Sequence, residues 1–211
     1  MCGFFAIFSN NTISPKNKES FKKSSLLLKH RGPDFQKYIF RKKFYLFHSR
    51  LSIVDLKDRA NQPYVGEQDR FFLIYNGEIY NYLDLRKILL QSKKFNTRSD
   101  TEVLFNAFLE WGPNCISRLK GMFAFAIWDN KNNRLYFARD VFGQKQLYFF
   151  KNKNLICLSS EIKPILMYFK INSLNKKTIS NYIIKNDYGA LDQTFFDNVY
   201  QLSPGTFGIW E

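Results

Sequence analysis

Residues 121–140, GMFAFAIWDNKNNRLYFARD, decide the fold. A strongly apolar run ends in the polar turn Asn130-Lys131-Asn132-Asn133, and a second run leads back through Leu135 to Arg139-Asp140, which is the pattern of an antiparallel hairpin. The same logic continues outward in both directions. Downstream, LYFF and LICLSS flank Lys151-Asn152-Lys153-Asn154 as two more strands. Upstream, QKYIF and KFYLFHSRLSIVD sit on either side of the basic pair Lys42-Lys43 as a hairpin, and RFFLIYNGEIYNY runs as a strand into Asn76-Gly77, read as a tight turn at a strand end. Gly3 to Phe8 forms a first strand closed by Ser9, Asn10 and Asn11, and TFGIW forms a last one.

Helical patterning occupies separate blocks. It spans residues 17–30, broken by Gly32-Pro33, then 82–92, then about 100–111 from a Ser/Asp cap to the stop Gly112-Pro113, with a short helix in EIKPILMYF. Hairpin-linked strands with segregated helices imply an α+β fold with mainly antiparallel sheet. No repeat or linker marks a boundary, so the 211 residues are expected to form one globular domain, and 45% hydrophobic content is ample for its core.

The formal net charge of +14 raises nucleic acid or an anionic surface as a partner. The lysines, however, fall in scattered pairs beside Asn, Ile and Phe, as solvated surface residues do, so neither nucleic acid nor membrane is expected. No hydrophobic run approaches the roughly 20 residues of a membrane span. Three cysteines at no metal-like or disulfide spacing fit a reducing, cytoplasmic compartment, and two histidines leave little room for a metal site.

Five residues have chemical potential. Cys2 stands directly behind the initiator Met1, and removal of Met1 would leave a thiol and a free α-amine on one residue, a nucleophile with its own base. Asn76-Gly77 offers a side-chain amide and a backbone N–H for a developing oxyanion. Arg50 lies in an apolar strand, where a cation requires an anion, and Asp100 stands at a helix start. Each also has an ordinary reading: a small packed terminus, a common turn, a helix cap.

The strings Met1-Cys2-Gly3, His30-Arg31-Gly32-Pro33-Asp34, Arg50-Leu51-Ser52-Ile53-Val54-Asp55, Tyr75-Asn76-Gly77-Glu78-Ile79-Tyr80-Asn81, Ser99-Asp100-Thr101-Glu102, Gly121 to Ala126, and Arg139-Asp140 with Phe142-Gly143 occur together in this order. Across essentially the whole chain they resemble the glutaminase domain of glutamine-hydrolysing asparagine synthetases. The resemblance implies a four-layer αββα sandwich of two antiparallel sheets, of the N-terminal-nucleophile hydrolase type, with residues 1–211 as a type-2 glutamine amidotransferase domain. It implies that Cys2 attacks the side-chain amide of L-glutamine, and that Asn76 and the Gly77 N–H hold the oxyanion. By the same carry-over Arg50 binds the substrate carboxylate and Asp100 its ammonium, while backbone groups of Leu51, Ser52, Ile53 and Val54 and of Gly77-Glu78 complete the pocket.

The run RDVFGQKQLYF departs from the family pattern at Val141, Gln144 and Gln146. The chain also reaches Glu211 before any glycine-rich phosphate loop, so an ATP-dependent synthetase domain is expected as a C-terminal or separate partner, and a homodimer is allowed. Glutamine hydrolysis itself is expected to need no cofactor, with ATP and Mg²⁺ confined to that synthetase domain. The expected product route is ammonia for amidation of activated aspartate. The alternatives are another acceptor, such as a sugar acid, or a non-catalytic binding module.

Overall fold

In a computed structural model, which describes residues 1–186 and 192–211, the hairpins expected from the sequence assemble into two antiparallel sheets. The strands are β1 (Gly3–Ser9), β2 (Phe35–Phe40), β3 (Phe44–Arg50), β4 (Tyr64–Gly66), β5 (Phe71–Ile79), β6 (Gly121–Asp129), β7 (Arg134–Arg139), β8 (Tyr148–Lys151), β9 (Leu155–Ser159), β10 (Val199–Gln201) and β11 (Phe207–Trp210). The first sheet has the order β10-β8-β9-β1-β3-β2 and the second β11-β7-β6-β5-β4. The helices are α1 (Asn17–Ser25), α2 (Tyr82–Leu89), α3 (Asp100–Trp111), α4 (Ile162–Phe169) and α5 (Lys176–Lys185).

Side-chain alternation sorts the apolar residues into layers. Phe4, Ala6 and Phe8 of β1 meet Phe72 and Ile74 of β5 and Trp128 of β6 between the sheets. Phe5 and Ile7, on the other face of β1, pack with Phe21 of α1 and Ile165 of α4. Leu73 and Tyr75 pack outward with Leu85 of α2 and Val103 and Leu104 of α3. The result is an αββα sandwich. Both faces of β1 are covered, which is why all seven of its residues are buried and its sequence shows no polar alternation.

Several sequence expectations change. The helix expected over 17–30 is α-helical only to Ser25, and Leu26–Arg31 tightens into a 3₁₀ turn before Gly32. A Cβ at Gly32 would lie 2.2 Å from the Ser49 carbonyl carbon, so the chain is pressed onto β3 there. The strand expected through Asp55 stops at Arg50, and the helix expected over 82–92 ends at Leu89. Asn76-Gly77 is not a turn: both lie inside β5, paired with Ala124 and Phe123 of β6. Ser99, not Asp100, caps α3, its hydroxyl accepting from Glu102 N at 3.3 Å. The short β4, β10 and the helix α5 were not anticipated.

His48 lies wholly buried between the sheets, opposite Phe4 on β1, with Nε2 3.0 Å from the Tyr75 carbonyl of the second sheet. Burial, with Arg50 nearby, pushes its pKa down from 6.5 to about 4. The folded state therefore keeps it neutral while the unfolded chain binds a proton below 6.5, so its stabilising share is intact above that pH and lost as pH falls toward 4. Urea unfolding of wild type and His48→Gln at pH 7 and pH 4 is expected to show about 3 kcal/mol less acid destabilisation in the variant.

Candidate active site

The inward-facing rows of β1, β3 and β5 turn polar at one end of the sandwich, and that of β6 ends beside them in a methionine. Phe4 is followed outward by Cys2, His48 by Arg50, Ile74 by Asn76 and Ala124 by Met122, and these four residues line a single cavity of about 130 Å³. Leu51, Ile53, Val54, Gly77, Glu78 and Asp100 also line it. Of the residues assigned from sequence, only Ser52 does not; its N–H instead donates to Asp34 Oδ2 at 2.7 Å.

The ladder between β1 and β3 ends at Gly3 and Ser49, so Cys2 lies beyond it. Its Sγ accepts from Leu51 N at 3.3 Å and lies 3.5 Å from Leu51 O, and its carbonyl accepts from Arg31 Nε at 3.0 Å. Burial raises the thiol pKa, opposed by the Leu51 N–H, the chain-terminal charge and Arg50. The resting group is thus a thiol that needs a base. His48 cannot serve: its proton affinity is low, its Nε2 is engaged, and it lies outside the cavity.

The amide nitrogen of Asn76 is buried at the cavity with no hydrogen-bond partner, a donor without an acceptor. The Gly77 N–H is freed by a different device. Gly77 and Phe123 form a non-hydrogen-bonded pair of the β5–β6 ladder: Phe123 directs its N–H to Asp140 Oδ2 and its carbonyl to Asp140 N, and the Gly77 amide faces the opposite edge of β5. On that edge Tyr75 N is taken by Gln62 Oε1 at 2.7 Å and Ile79 N by Asp100 Oδ2 at 3.1 Å, with Gly77 N between them. A Cβ at Gly77 would lie 2.3 Å from Met122 O, so glycine is needed for the close approach of β6.

At the far wall Asp100 Oδ2 also accepts from Tyr75 Oη at 2.7 Å. Burial raises the Asp100 pKa despite these donors, and among the described residues no cation pairs with it directly. Arg50 is 5% exposed, and its guanidinium bonds neutral oxygens: Nη1 to Asn61 Oδ1 at 2.7 Å and Lys57 O, Nη2 to Val54 O and Asp55 O. The site thus holds a buried cation and a buried anion, each without a charged partner of its own.

Sequence reading passed over Lys145. It is buried in the cavity wall, its ammonium reaches Met1 Sδ at 3.2 Å, and burial together with Arg31 lowers its pKa. The Arg139-Asp140 pair places it: Asp140 accepts from the N–H groups of Phe123, Phe142, Gln144 and Lys145, and Arg139 donates to Lys145 O and Gly143 O. The pair serves this loop rather than the substrate.

An inward cysteine just ahead of β1, facing an unpartnered amide inside an antiparallel αββα sandwich, is the arrangement expected of a hydrolase of the N-terminal-nucleophile class. The glutamine amidotransferase domain model matches residues 1–211, and the chain belongs to that family. It is 35% identical over 186 residues to asparagine synthetase (glutamine-hydrolysing) 1 of Bacillus subtilis, covering 87% of this chain and 29% of that protein. It is 32% identical over 220 residues to amidase chry2 of Gibberella zeae, covering 99% of this chain and 32% of that protein. The chain therefore spans about a third of the length of these relatives. Among solved structures, the allosteric regulatory enzyme of purine biosynthesis shares the fold, with a TM-score of 0.67 at 19% identity, covering 99% of this chain and 46% of that one.

Asp100→Asn removes a buried charge while keeping an oxygen for Tyr75 and Ile79. Thermal unfolding is expected to show a gain of about 1 kcal/mol at neutral pH alongside weakened substrate binding, as when a functional charge is relieved.

Proposed function

We propose that Cys2, exposed as an N-terminus by loss of Met1, hydrolyses the side-chain amide of L-glutamine. The observation that carries this reading is the meeting of the Cys2 thiol, the unpartnered Asn76 amide, Arg50 and Asp100 in one cavity. The α-amine takes the thiol proton as Sγ attacks the carboxamide carbon, and the oxyanion forms against Asn76 Nδ2 and the Gly77 N–H. Collapse of that adduct transfers the proton to nitrogen and breaks the C–N bond, which releases ammonia and leaves a thioester. Water, deprotonated by the same amine, then attacks the thioester carbon. Glutamate leaves and the thiol is restored.

Asp100 receives the substrate α-ammonium, which supplies the cation it lacks. The α-carboxylate binds Arg50 in exchange for the carbonyls of Val54 and Asp55, because a carboxylate is the stronger acceptor for a guanidinium. Every proton transfer is assigned to Cys2, so the hydrolysis draws on no metal or nucleotide.

The acceptor we propose is activated aspartate, on a synthetase domain that binds ATP and Mg²⁺ outside these residues. The asparagine synthetases among the relatives support this acceptor, while amidase chry2 bears a different name at similar identity. A cytoplasmic setting is supported by three free cysteines, and among the described residues no helix is long and apolar enough to cross a membrane.

Glutamate release from glutamine by the purified chain tests the reading. Cys2→Ala is expected to abolish turnover with little change in melting temperature, and residual activity above about a tenth of wild type would overturn the assignment. Arg50→Lys is expected to raise KM for glutamine by about tenfold, since a single ammonium replaces a two-point contact worth roughly 1.5–3 kcal/mol. An uncleaved extension ahead of Cys2 is expected to abolish activity, because the α-nitrogen becomes a non-basic amide.

A further inference from the structure

Arg31 and Glu161 stand beside the cavity rather than in its lining, and neither has a role in the steps above. Arg31 donates through Nε to the Cys2 carbonyl at 3.0 Å and through Nη1 to Glu161 Oε1 at 3.0 Å. The guanidinium is planar, so two bonds from different nitrogens fix its orientation as well as its position. It lies directly across Gly3, where a Cβ would approach Arg31 Cδ to 2.8 Å. Glu161 is in turn held by the end of β9, its N–H donating to Ser159 Oγ at 3.3 Å. Just before it, Ser160 N donates to Phe4 O and Phe4 N to Ser160 Oγ, which continues the pairing of β9 with β1 past the end of the ladder.

We propose that Glu161 is a positioning residue for the glutaminase reaction, acting through Arg31 to fix the carbonyl, and hence the thiol and amine, of Cys2. The inference rests on the reading of Cys2 as nucleophile. Cys2 lies beyond the β1–β3 ladder, and among the described residues its side chain hydrogen-bonds only weakly, through sulfur to Leu51. As a chain terminus it would fray, whereas the reaction requires Sγ, the α-amine and the Asn76 amide to converge on one carbon. The Arg31 bond to its carbonyl is charge-assisted and the strongest contact Cys2 makes. Without Glu161 the guanidinium loses the anion that aims it. The nucleophile is thus gripped from both neighbouring strands, by Leu51 beyond β3 and by Glu161 beyond β9. His30 and Lys163 also approach Glu161, at 2.9 and 3.8 Å, but both are largely exposed and neither reaches Cys2.

The test combines steady-state glutaminase kinetics with alkylation of Cys2 by iodoacetamide, followed by mass spectrometry, in wild type, Glu161→Ala, Glu161→Gln, Arg31→Met and the double variant Arg31→Met/Glu161→Ala. Glu161→Ala is expected to lower kcat by about 10- to 100-fold with KM for glutamine within about threefold, because the Arg50–Asp100 end is untouched. Glu161→Gln keeps an oxygen for Arg31 and is expected to recover most of the rate. Alkylation of Cys2 is expected to accelerate severalfold in Glu161→Ala while the buried Cys115 and Cys157 stay unlabelled, which separates local release from unfolding. In the Arg31→Met background, loss of Glu161 is expected to cost nothing further. Wild-type kcat and alkylation in Glu161→Ala, or an equal loss with and without Arg31, would overturn the proposal. If wild type releases no glutamate, the glutaminase reading fails separately, and the alkylation arm still decides whether Glu161 holds Cys2.

Discussion

The pairing of Gly3 with Ser49 at the end of the β1–β3 ladder is the contact on which the rest of this molecule depends. It leaves Cys2 one step beyond the sheet, with its sulfur against Leu51, and brings the first residues of the chain beside the loop that Arg50 starts. A slip of one residue would turn Cys2 to the helix-covered face and send Phe4, Ala6 and Phe8 out of the inter-sheet core. Each large apolar side chain so displaced costs roughly 1.5–3 kcal/mol. The orientation of the reactive thiol is therefore enforced by packing at some distance from it.

The same rows of side chains set the electrostatics of the cavity. Those of β1, β3 and β5 begin as inter-sheet core and end in Cys2, Arg50 and Asn76 at the open edge, so these groups inherit the low dielectric of the core. Desolvation raises the pKa of Cys2 and, elsewhere in the cavity lining, that of Asp100, raises that of Tyr75 well above its usual range, and lowers that of Lys145. A charge kept there without a partner is a standing cost to the fold, and in the proposed reaction a zwitterionic substrate would offset it at both ends of the site.

Much of this was legible in the sequence, and the failures have physical reasons. The hairpins were readable because apolar runs and polar turns are local signals. Arg50 stood out because a cation is out of place in an apolar strand, whereas Cys2 and Asp100, each with an ordinary reading of its own, gained weight only from the strings that occur together in order. Asn76-Gly77 was misread as a turn because that dipeptide usually is one, and nothing local shows that the Asp140 carboxylate intercepts the Phe123 N–H across the sheet. Ser52 was included only as part of a contiguous string, and Asp34 draws its backbone away. The short β4 and β10 are three-residue edge strands whose partners lie far off in sequence or whose pattern is too brief to carry a period. Lys145 and Glu161 escaped because their meaning lies in contacts with Met1 and Arg31, 144 and 130 residues away along the chain.

Three glycines shape the same end of the sandwich. From sequence alone glycine signals a turn, yet Gly3, Gly32 and Gly77 are not turn residues, and a Cβ on any of them would collide: with Arg31 at Gly3, with the backbone of Ser49 and Arg50 at Gly32, and with Met122 O and Phe123 Cα at Gly77. All three lie at the same end of the sandwich, next to Cys2, Arg50 and Asn76. There the glycines provide space rather than conformational freedom, letting a guanidinium cross one strand, a loop press onto a second and two strands of the other sheet close up. The glycine behind Cys2 in the opening MCG is thus part of the site. It gives Arg31 its path to the Cys2 carbonyl, so an alanine there would disturb the nucleophile without touching its chemistry.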